Sequence, residues 1–300
     1  MLTRRSFLTL TAAGAASVSS RSVQAIEPIA RHGVASMAGM KLSLAAYSFR
    51  SVLAGPKKSM TLDDFIDRAA AWDLDAVEPT SYYFPESPTP EYCRRLRRHA
   101  FLKGLGISGT AVRNTFTYPP GPQLQKEIAH VKHWVDLAAD LGAPTIRIFA
   151  GDLQKGTTEA QAREWCIQAI QECCDYAGTR GIILALENHG GIVARVDELL
   201  TIVKAVKSDW FGVNWDSGNF QGADPYGDLA KLAPHAVVAQ IKTEISPNGK
   251  RQEADLGRVI GILRTAGYRG YVALEYEADD DPFVAVPRYL AELRRLLGAG

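Results

Sequence analysis

Residues 182–187 read Ile-Ile-Leu-Ala-Leu-Glu, an almost unbroken apolar run that ends in a carboxylate. Runs without polar alternation are typical of strands buried on both faces, as in a parallel sheet covered by helices. Residues 236–239, Ala-Val-Val-Ala, have the same character. These two stretches predict a parallel sheet, and the terminal glutamate of the first one predicts a polar edge to that sheet.

The segments between the apolar runs have the spacing of amphipathic helices. In one of them apolar residues recur at intervals of four and three and share one helix face: Leu124, Ile128, Val131, Val135 and Ala138. The run from Thr61 to Asp64 resembles a capping box, which predicts the start of a helix. Gly142 stands where a helix should stop. Strands therefore alternate with helices along the chain.

This alternation begins at Lys41 and gives eight strands. They are predicted over residues 41–47, 75–78, 106–111, 144–149, 182–187, 211–216, 236–242 and 270–275. Eight strand–helix units in about 260 residues match a (β/α)8 TIM barrel, here a single domain over residues 41–300. A doubly wound open sheet is the alternative. It would need a glycine-rich turn after its first strand, which residues 48–58 lack.

Charge and cysteine usage exclude several classes of protein. The chain has 34 basic and 33 acidic residues, a net charge of +1, which does not predict a nucleic-acid surface. Its four cysteines form no Cys-x-x-Cys pair, so neither a disulfide scaffold nor a zinc site is expected. We expect inert buried thiols at all four positions: Cys93, Cys166, Cys173 and Cys174.

Residues 1–25 resemble a twin-arginine (Tat) export signal. Arg4 and Arg5 precede a mildly apolar run, and Val23 and Ala25 are small residues at the −3 and −1 positions of a cleavage site. We expect the Tat translocase to export the folded chain to the periplasm, and residues 26–40 to form a linker. The apolar run is too short to span a bilayer, so no stable membrane anchor is expected after signal cleavage.

Polar side chains end the later strands, where a barrel of this kind has its active site. Three acids and one amide make an all-oxygen set: Glu187, Asp216, Gln240 and Glu275. A carboxylate at the end of an apolar strand is costly unless a proton or a cation compensates its charge. Oxygen sets suit Mg²⁺ or Mn²⁺ better than zinc. The alternative is that each acid caps a helix or pairs with Arg147 or Lys242.

The ordered series of strand ends resembles the sugar phosphate isomerase/epimerase family, which has a xylose isomerase-like barrel. The resemblance covers residues 41–297 and rests on Leu-Glu-Asn-His (186–189), Asp-Ser-Gly-Asn (216–219), Gln-Ile-Lys (240–242) and Leu-Glu (274–275). It implies one divalent ion, Mn²⁺ foremost and otherwise Mg²⁺ or Co²⁺, held by Glu187, Asp216, Gln240 and Glu275. Gln240 stands in place of the commoner histidine, as in a hydroxypyruvate isomerase-like branch, and the chain looks like an exported branch of the family.

The resemblance also implies roles in proton transfer. Glu187 and Glu275 would remove and return a proton beside a carbonyl. His189 is the only histidine at a predicted strand end, and Lys242 shares the inward face of its strand with Gln240. We expect both to assist catalysis, although a loop histidine and a structural ion pair are the alternatives. Six further residues are expected to contact the sugar: Tyr47, Glu78, Asn114, Arg147, Asn219 and Glu244.

The function that the resemblance implies is metal-dependent isomerisation or epimerisation of a free or oxidised sugar, through an enediolate. Two alternatives use the same pocket: a lyase or dehydratase acting on a keto-sugar or keto-glycoside, and a sugar-binding barrel without activity. An abasic-site endonuclease would need a histidine-rich zinc cluster, which these strand ends do not supply. The expected partner is a small carbohydrate rather than a nucleic acid. The resemblance adds a homodimer as one option, since barrels of this family often pair.

Overall fold

The computed structural model describes residues 39–56 and 58–298. The predicted export signal at residues 1–25 lies outside the described residues, as does nearly all of the predicted linker at 26–40. Within the described ranges, no helix has both the length and the apolar content needed to cross a membrane.

Parallel strands form the centre of the molecule, as predicted. In the described part of the chain, nine strands make one sheet and two make a separate antiparallel pair. They are β1 (Lys41–Ala45), β2 (Ala76–Glu78), β3 (Gly106–Ile107), β4 (Thr110–Ala111), β5 (Thr145–Ile148), β6 (Ile183–Glu187), β7 (Phe211–Asp216), β8 (Ala236–Ile241), β9 (Glu244–Ile245), β10 (Gln252–Glu253) and β11 (Tyr271–Leu274). The large sheet has the order β3-β2-β1-β11-β8-β7-β6-β5-β4. A parallel bridge between Thr80 and Ala111 draws its two edges together, so the sheet is a nearly closed barrel.

The helices surround this barrel and bury their apolar faces against it. They are α1 (Arg50–Leu53), α2 (Leu62–Ala71), α3 (Pro90–Leu102), α4 (Pro122–Leu141), α5 (Glu159–Thr179), α6 (Val196–Ala205), α7 (Pro225–Leu232), α8 (Leu256–Thr265) and α9 (Pro282–Gly298). Thr61 and Asp64 form the predicted reciprocal capping box of α2. Gly142 ends α4 with a φ of +75°, a left-handed conformation that glycine adopts without strain.

One predicted strand is corrected by the structure. Residues 106–111 form two short strands, because β3 pairs with β2 whereas β4 pairs with β5. The pairing changes from β2 to β5 at Ser108 and Gly109, which separate the two short strands. The Ser108 hydroxyl donates to the carbonyl of Val77 at 3.2 Å and shares a 2.7 Å hydrogen bond with Ser43. The other predicted strands agree with the structure to within two residues.

A short hairpin follows β8 and was not predicted. β9 and β10 pair in antiparallel register, Ile245 with Gln252 and Glu244 with Glu253. The amide of Asn248 donates to the carbonyl of Gly222 at 2.8 Å, which fixes the hairpin to the loop after β7. The hairpin therefore stands over the carboxyl end of β8 and shapes that face of the barrel.

The cysteine prediction is confirmed. All four thiols are buried and free in the described structure, and burial raises the pKa of Cys173 to about 12. A buried thiol with a raised pKa is a poor nucleophile, so these residues act as core side chains.

Candidate active site

A cleft of about 230 Å³ opens at the carboxyl ends of the strands, where the sequence predicts the site. Its walls come from almost every strand end: Tyr47, Tyr82, Arg113, Asn114, Thr115, Arg147, Phe149, Gly151, Asp152, Glu187, His189, Lys242, Glu275 and Glu277. We call this space the main cavity. The four predicted catalytic residues therefore face one space, although they are far apart in sequence.

Lys242 occupies the centre of an acidic cluster. Its ammonium nitrogen lies 2.5 Å from Oε2 of Glu275, 2.8 Å from Oε2 of Glu277 and 3.5 Å from Oδ2 of Asp216. Gly218 makes room for this lysine, since a Cβ at Gly218 would lie 2.6 Å from its Cγ. The ammonium group thus lies between acids that the sequence predicts as ligands of a metal ion.

Arg147 is the second buried cation of the site. Its Nε lies 2.9 Å from Oε2 of Glu187 in an ion pair, and the two terminal nitrogens of its guanidinium group donate to the carbonyl of Val112 and to the hydroxyl of Tyr82. Asn219 donates to the other oxygen of Glu187 at 2.9 Å. Both oxygens of this carboxylate are therefore held in place. The ion pair considered as an alternative for Arg147 is present, and Arg147 also lines the main cavity.

A polar chain crosses the barrel beneath the main cavity. The side-chain amide of Asn214 donates to Oε1 of Gln240 at 2.7 Å, and Nε2 of Gln240 donates to Oε1 of Glu78 at 2.7 Å. None of the three lines the main cavity. Glu78, predicted to contact the sugar, instead faces Gln240 in the barrel interior.

Burial controls the protonation of these acids. It raises the pKa of Glu78 to about 7, of Glu187 to about 7 and of Asp216 to about 8, and the neighbouring cations oppose these shifts. Burial disfavours the charge of Lys242, yet the carboxylates around it raise its pKa well above the ordinary lysine value. The site therefore holds an ammonium group beside Asp216, a carboxyl group that titrates near neutral pH.

Two asparagines connect neighbouring strand ends in the same way. Asn114 donates to the carbonyl of Phe149 and accepts from its amide, at 2.8 and 2.9 Å. Asn188 makes the same pair of bonds with the backbone of Asp216, both at 2.9 Å. Asn114 lines the main cavity as predicted, but both of its side-chain polar atoms already have backbone partners. Asn188 was missed, although it directly follows the predicted ligand Glu187.

Aromatic rings form the rim of the main cavity. Tyr47 packs edge-on against Tyr82, with centroids 6.2 Å apart, and His189 packs against Phe149 at 4.5 Å. Burial and the nearby Arg147 lower the pKa of His189, which favours its neutral imidazole. Tyr82 and Phe149 were not predicted because neither ends a strand in an acid-rich motif.

The two remaining residues predicted to contact the sugar lie beside the main cavity. Asn219 and Glu244 line a smaller neighbouring cavity, and Glu244 is paired with Arg251 at 2.6 Å. Glu277 lines both cavities and was missed as a site residue. The sequence did offer a signal for Glu277, because it follows Glu275 by two residues.

Three of the four predicted metal positions are carboxylates, and their oxygens are donors of the kind expected for a divalent ion. Oδ2 of Asp216 is buried and has no hydrogen-bond partner among the described residues, while Glu187 and Glu275 present carboxylates at the main cavity. Oxygen donors of this kind suit Mg²⁺ or Mn²⁺. Gln240 fits less well, because both polar atoms of its amide are already hydrogen-bonded.

The acids outnumber the cations, which favours an added positive charge. Two buried cations face five carboxyl groups: Glu78, Glu187, Asp216, Glu275 and Glu277. In the described ranges, however, no three acidic, histidine or cysteine side chains already converge as an ion site. Lys242 lies where Asp216 and Glu275 would otherwise approach each other, so its ammonium group would have to share or leave this position when an ion binds.

Comparison with known proteins identifies the fold. The sequence model of the xylose isomerase-like TIM barrel matches residues 66–297. A search of curated proteins finds no match. Among solved structures, L-ribulose 3-epimerase is similar at 15% identity and a TM-score of 0.70, covering 87% of this chain and 95% of that one. The 3-keto-D-glucoside 4-epimerase of E. coli is similar at 12% identity and a TM-score of 0.68, covering 85% of this chain and 99% of that one. A xylose isomerase domain protein from Planctomyces limnophilus is similar at 17% identity and a TM-score of 0.64, covering 88% of this chain and 99% of that one.

Proposed function

Because the chain belongs to the xylose isomerase-like TIM barrel family, we propose that it is an isomerase or epimerase that moves a proton beside the carbonyl of a free or oxidised sugar. One observation carries this proposal. Glu187 and Glu275 are buried carboxylates that line the same cavity, and each is paired with its own cation, Arg147 or Lys242. Two such groups on different strand ends supply a base and an acid for one substrate.

The main cavity suits a small polyhydroxyl ligand. Its volume of about 230 Å³ is below the range typical of drug-sized ligands, roughly 300–1,000 Å³. Tyr47, Tyr82 and Phe149 offer ring faces or edges to the apolar side of a sugar ring. Carboxylates and guanidinium groups supply hydrogen bonds for hydroxyl groups. This combination of surfaces supports a monosaccharide ring as the occupant.

The proton chemistry rests on Glu187 and Glu275. Burial brings the pKa of Glu187 to about 7, where a carboxyl group can accept or donate a proton at neutral pH. Arg147 and Asn219 hold its two oxygens, so the carboxylate faces the cavity in one orientation. Lys242 holds Glu275 at 2.5 Å, and a substrate oxygen near this ammonium group would take a hydrogen bond from it in place of Glu277 or Asp216.

We include a divalent ion in the proposal, Mn²⁺ first and then Mg²⁺ or Co²⁺. Glu187, Asp216 and Glu275 would hold it, with Gln240 as a fourth ligand if its amide releases Asn214. When bound, the ion would supply positive charge to stabilise the negative charge that develops on the carbonyl oxygen. Oδ2 of Asp216 supports this assignment, because it is buried and accepts no hydrogen bond from the described residues, its nearest cation being Lys242 at 3.5 Å.

Amide variants of the two acids test the proposal. Glu187→Gln and Glu275→Gln should each lower kcat by about 10²-fold or more, since each removes a proton-transfer group. The assay uses D-fructose, D-psicose, D-tagatose and L-ribulose with added Mn²⁺, and chromatography to identify products. Glu253→Gln, on the exposed hairpin, is the matched control and should keep wild-type activity.

Two outcomes would redirect the assignment. Wild-type turnover in both amide variants, with an intact circular dichroism spectrum, would contradict the proposal. An unsaturated product would mark elimination, which begins with removal of the same proton, and would place the protein among the lyases.

A further inference from the structure

A second cavity lies beside the main one. It has a volume of about 110 Å³ and is lined by Gly218, Asn219, Lys242, Thr243, Glu244, Ser246, Arg251 and Glu277. The hairpin of β9 and β10 supplies one wall, and this hairpin is an addition to the alternating strands and helices of the barrel. Two backbone bonds, from Asn248 to Gly222 and from Gly249 to Gln221, hold it in place.

The two cavities meet at one ion pair. Lys242 and Glu277 line both of them, and Nζ of Lys242 lies 2.8 Å from Oε2 of Glu277. This pair is therefore shared by the walls of both cavities, and a ligand that occupied both would lie against it. A single ether oxygen is the kind of group that an ammonium donor can hydrogen-bond at such a position.

The chemistry of the second cavity favours an uncharged ligand rich in hydroxyl groups. Its two rim charges neutralise each other, since Arg251 lies 2.6 Å from Glu244 across the hairpin. Thr243 and Ser246 add hydroxyl groups, and Asn219 adds an amide. No aromatic or aliphatic side chain larger than the stem of a lysine or arginine lines it. An apolar group would have no apolar side chain to pack against there. A sugar ring could hydrogen-bond the hydroxyl, amide and charged groups of the lining.

We propose that the second cavity binds a second sugar unit, so that the preferred ligand is a glycosylated keto-sugar with its glycosidic oxygen at the Lys242–Glu277 pair. The inference rests on the proposed function, which places the reacting sugar in the main cavity. It adds the substrate class: a disaccharide-sized glycoside rather than a free monosaccharide.

Calorimetric titration with matched sugars tests this subsite. D-Fructose is the monosaccharide probe, and three glucosyl-fructoses that differ in linkage (turanose, maltulose and isomaltulose) are the disaccharide probes. At least one disaccharide should bind the wild-type protein 10-fold or more tightly than D-fructose. Ser246→Trp, which fills the second cavity, and Arg251→Ala should each reduce that affinity ratio to about one. Lys250→Ala is the control, because Lys250 is exposed on the same hairpin and lines neither cavity.

The outcomes separate the subsite from the proposed function. A ratio near one in the wild-type protein, or a ratio that Ser246→Trp and Arg251→Ala both leave unchanged, would overturn the subsite. The subsite would also be overturned if none of the four sugars bound to the wild-type protein. Deuterium exchange from D₂O into the fructose unit is measured in parallel. Disaccharide-selective binding without deuterium exchange would retain the subsite and reject proton transfer. Deuterium exchange without selectivity for a disaccharide would retain proton transfer and reject the subsite.

Discussion

The ammonium nitrogen of Lys242 lies 2.5 Å from Oε2 of Glu275 and 3.5 Å from Oδ2 of Asp216. It thereby joins two acids from different strand ends, β7 and the end of β11, in a buried position. Buried charges need partners because water no longer solvates them. The lysine is therefore the internal counter-ion of this side of the site, and a divalent ion would have to compete with it.

Removing this lysine should have two opposite effects. In the presence of a chelator, Lys242→Met should lower the free energy of unfolding by about 3–5 kcal/mol, because the acids lose their cation. In titrations with Mn²⁺, the same variant should bind the ion about 10-fold more tightly, since the competing charge is gone. Urea denaturation and calorimetry measure the two effects. The exposed Lys250→Met should change neither, and weaker Mn²⁺ binding by Lys242→Met would contradict the competition.

Stability of the metal-free protein should fall as the pH rises. The folded-state pKa values of Glu187 (about 7) and Asp216 (about 8) lie above the ordinary values of 4.5 and 3.8, so the native state binds more protons than the unfolded chain across this range. Between about pH 5 and about pH 8.5 the free energy of unfolding should decline by several kcal/mol, since each unit of pKa displacement within this window corresponds to about 1.4 kcal/mol. Urea titrations with chelator present measure it. The double variant Glu187→Gln/Asp216→Asn should make the profile shallower and leave the contribution of Glu78, whose pKa is also raised to about 7. A wild-type protein that gains stability toward pH 8.5 would contradict these pKa directions.

The strand connection made by Asn188 should be needed for both stability and activity. Asn188→Ala removes two hydrogen bonds to the backbone of Asp216 and should cost about 1–3 kcal/mol in the free energy of unfolding. It should also lower turnover, because Asp216 loses its fixed position beside Lys242. The exposed Gln252→Ala is the control for urea denaturation. An Asn188→Ala protein as stable as the control would reject this role.

Glycine at position 218 should be required by the position of Lys242. In Gly218→Ala the new methyl carbon would lie 2.6 Å from Cγ of Lys242 and 2.8 Å from the carbonyl oxygen of Glu244. Relieving this overlap should cost about 1–3 kcal/mol and displace the lysine, which lowers kcat. Gly261→Ala in α8 meets nothing within 4 Å and should stabilise the helix by up to about 1 kcal/mol. Thermal denaturation of the pair measures the contrast, and equal melting temperatures would contradict the crowding.

Strand positions could be predicted where apolar runs are long and end in polar residues. β6 and β7 are the clearest cases, since their buried runs close with Glu187 and Asp216. Predicting 106–111 as one strand was wrong because an apolar run does not show which neighbour it pairs with. The hairpin after β8 was missed because its strands have two residues each. Its available signal was Asn248-Gly249, whose positive φ angles of 53° and 71° are typical of a tight turn.

The partners of the site residues could not be predicted from the sequence. Spacing places Glu187, Asp216, Lys242 and Glu275 at strand ends, but it does not show that Lys242 lies among the acids. Nor does it show that Gln240 hydrogen-bonds Glu78, which is 162 residues away. Such contacts depend on barrel closure and on side-chain direction across the interior. Metal binding, export and pairing of two chains remain predictions.

The most direct measurement of the central claim is exchange of carbon-bound hydrogen with solvent. The Mn²⁺-loaded protein is incubated in D₂O with a keto-sugar that calorimetry shows to bind, and the recovered sugar is analysed by NMR. The account predicts one deuterium at the carbon beside the carbonyl, at a rate that Glu187→Gln and Glu275→Gln each reduce by about 10²-fold or more. A bound keto-sugar recovered with all of its carbon-bound hydrogens unexchanged would contradict it.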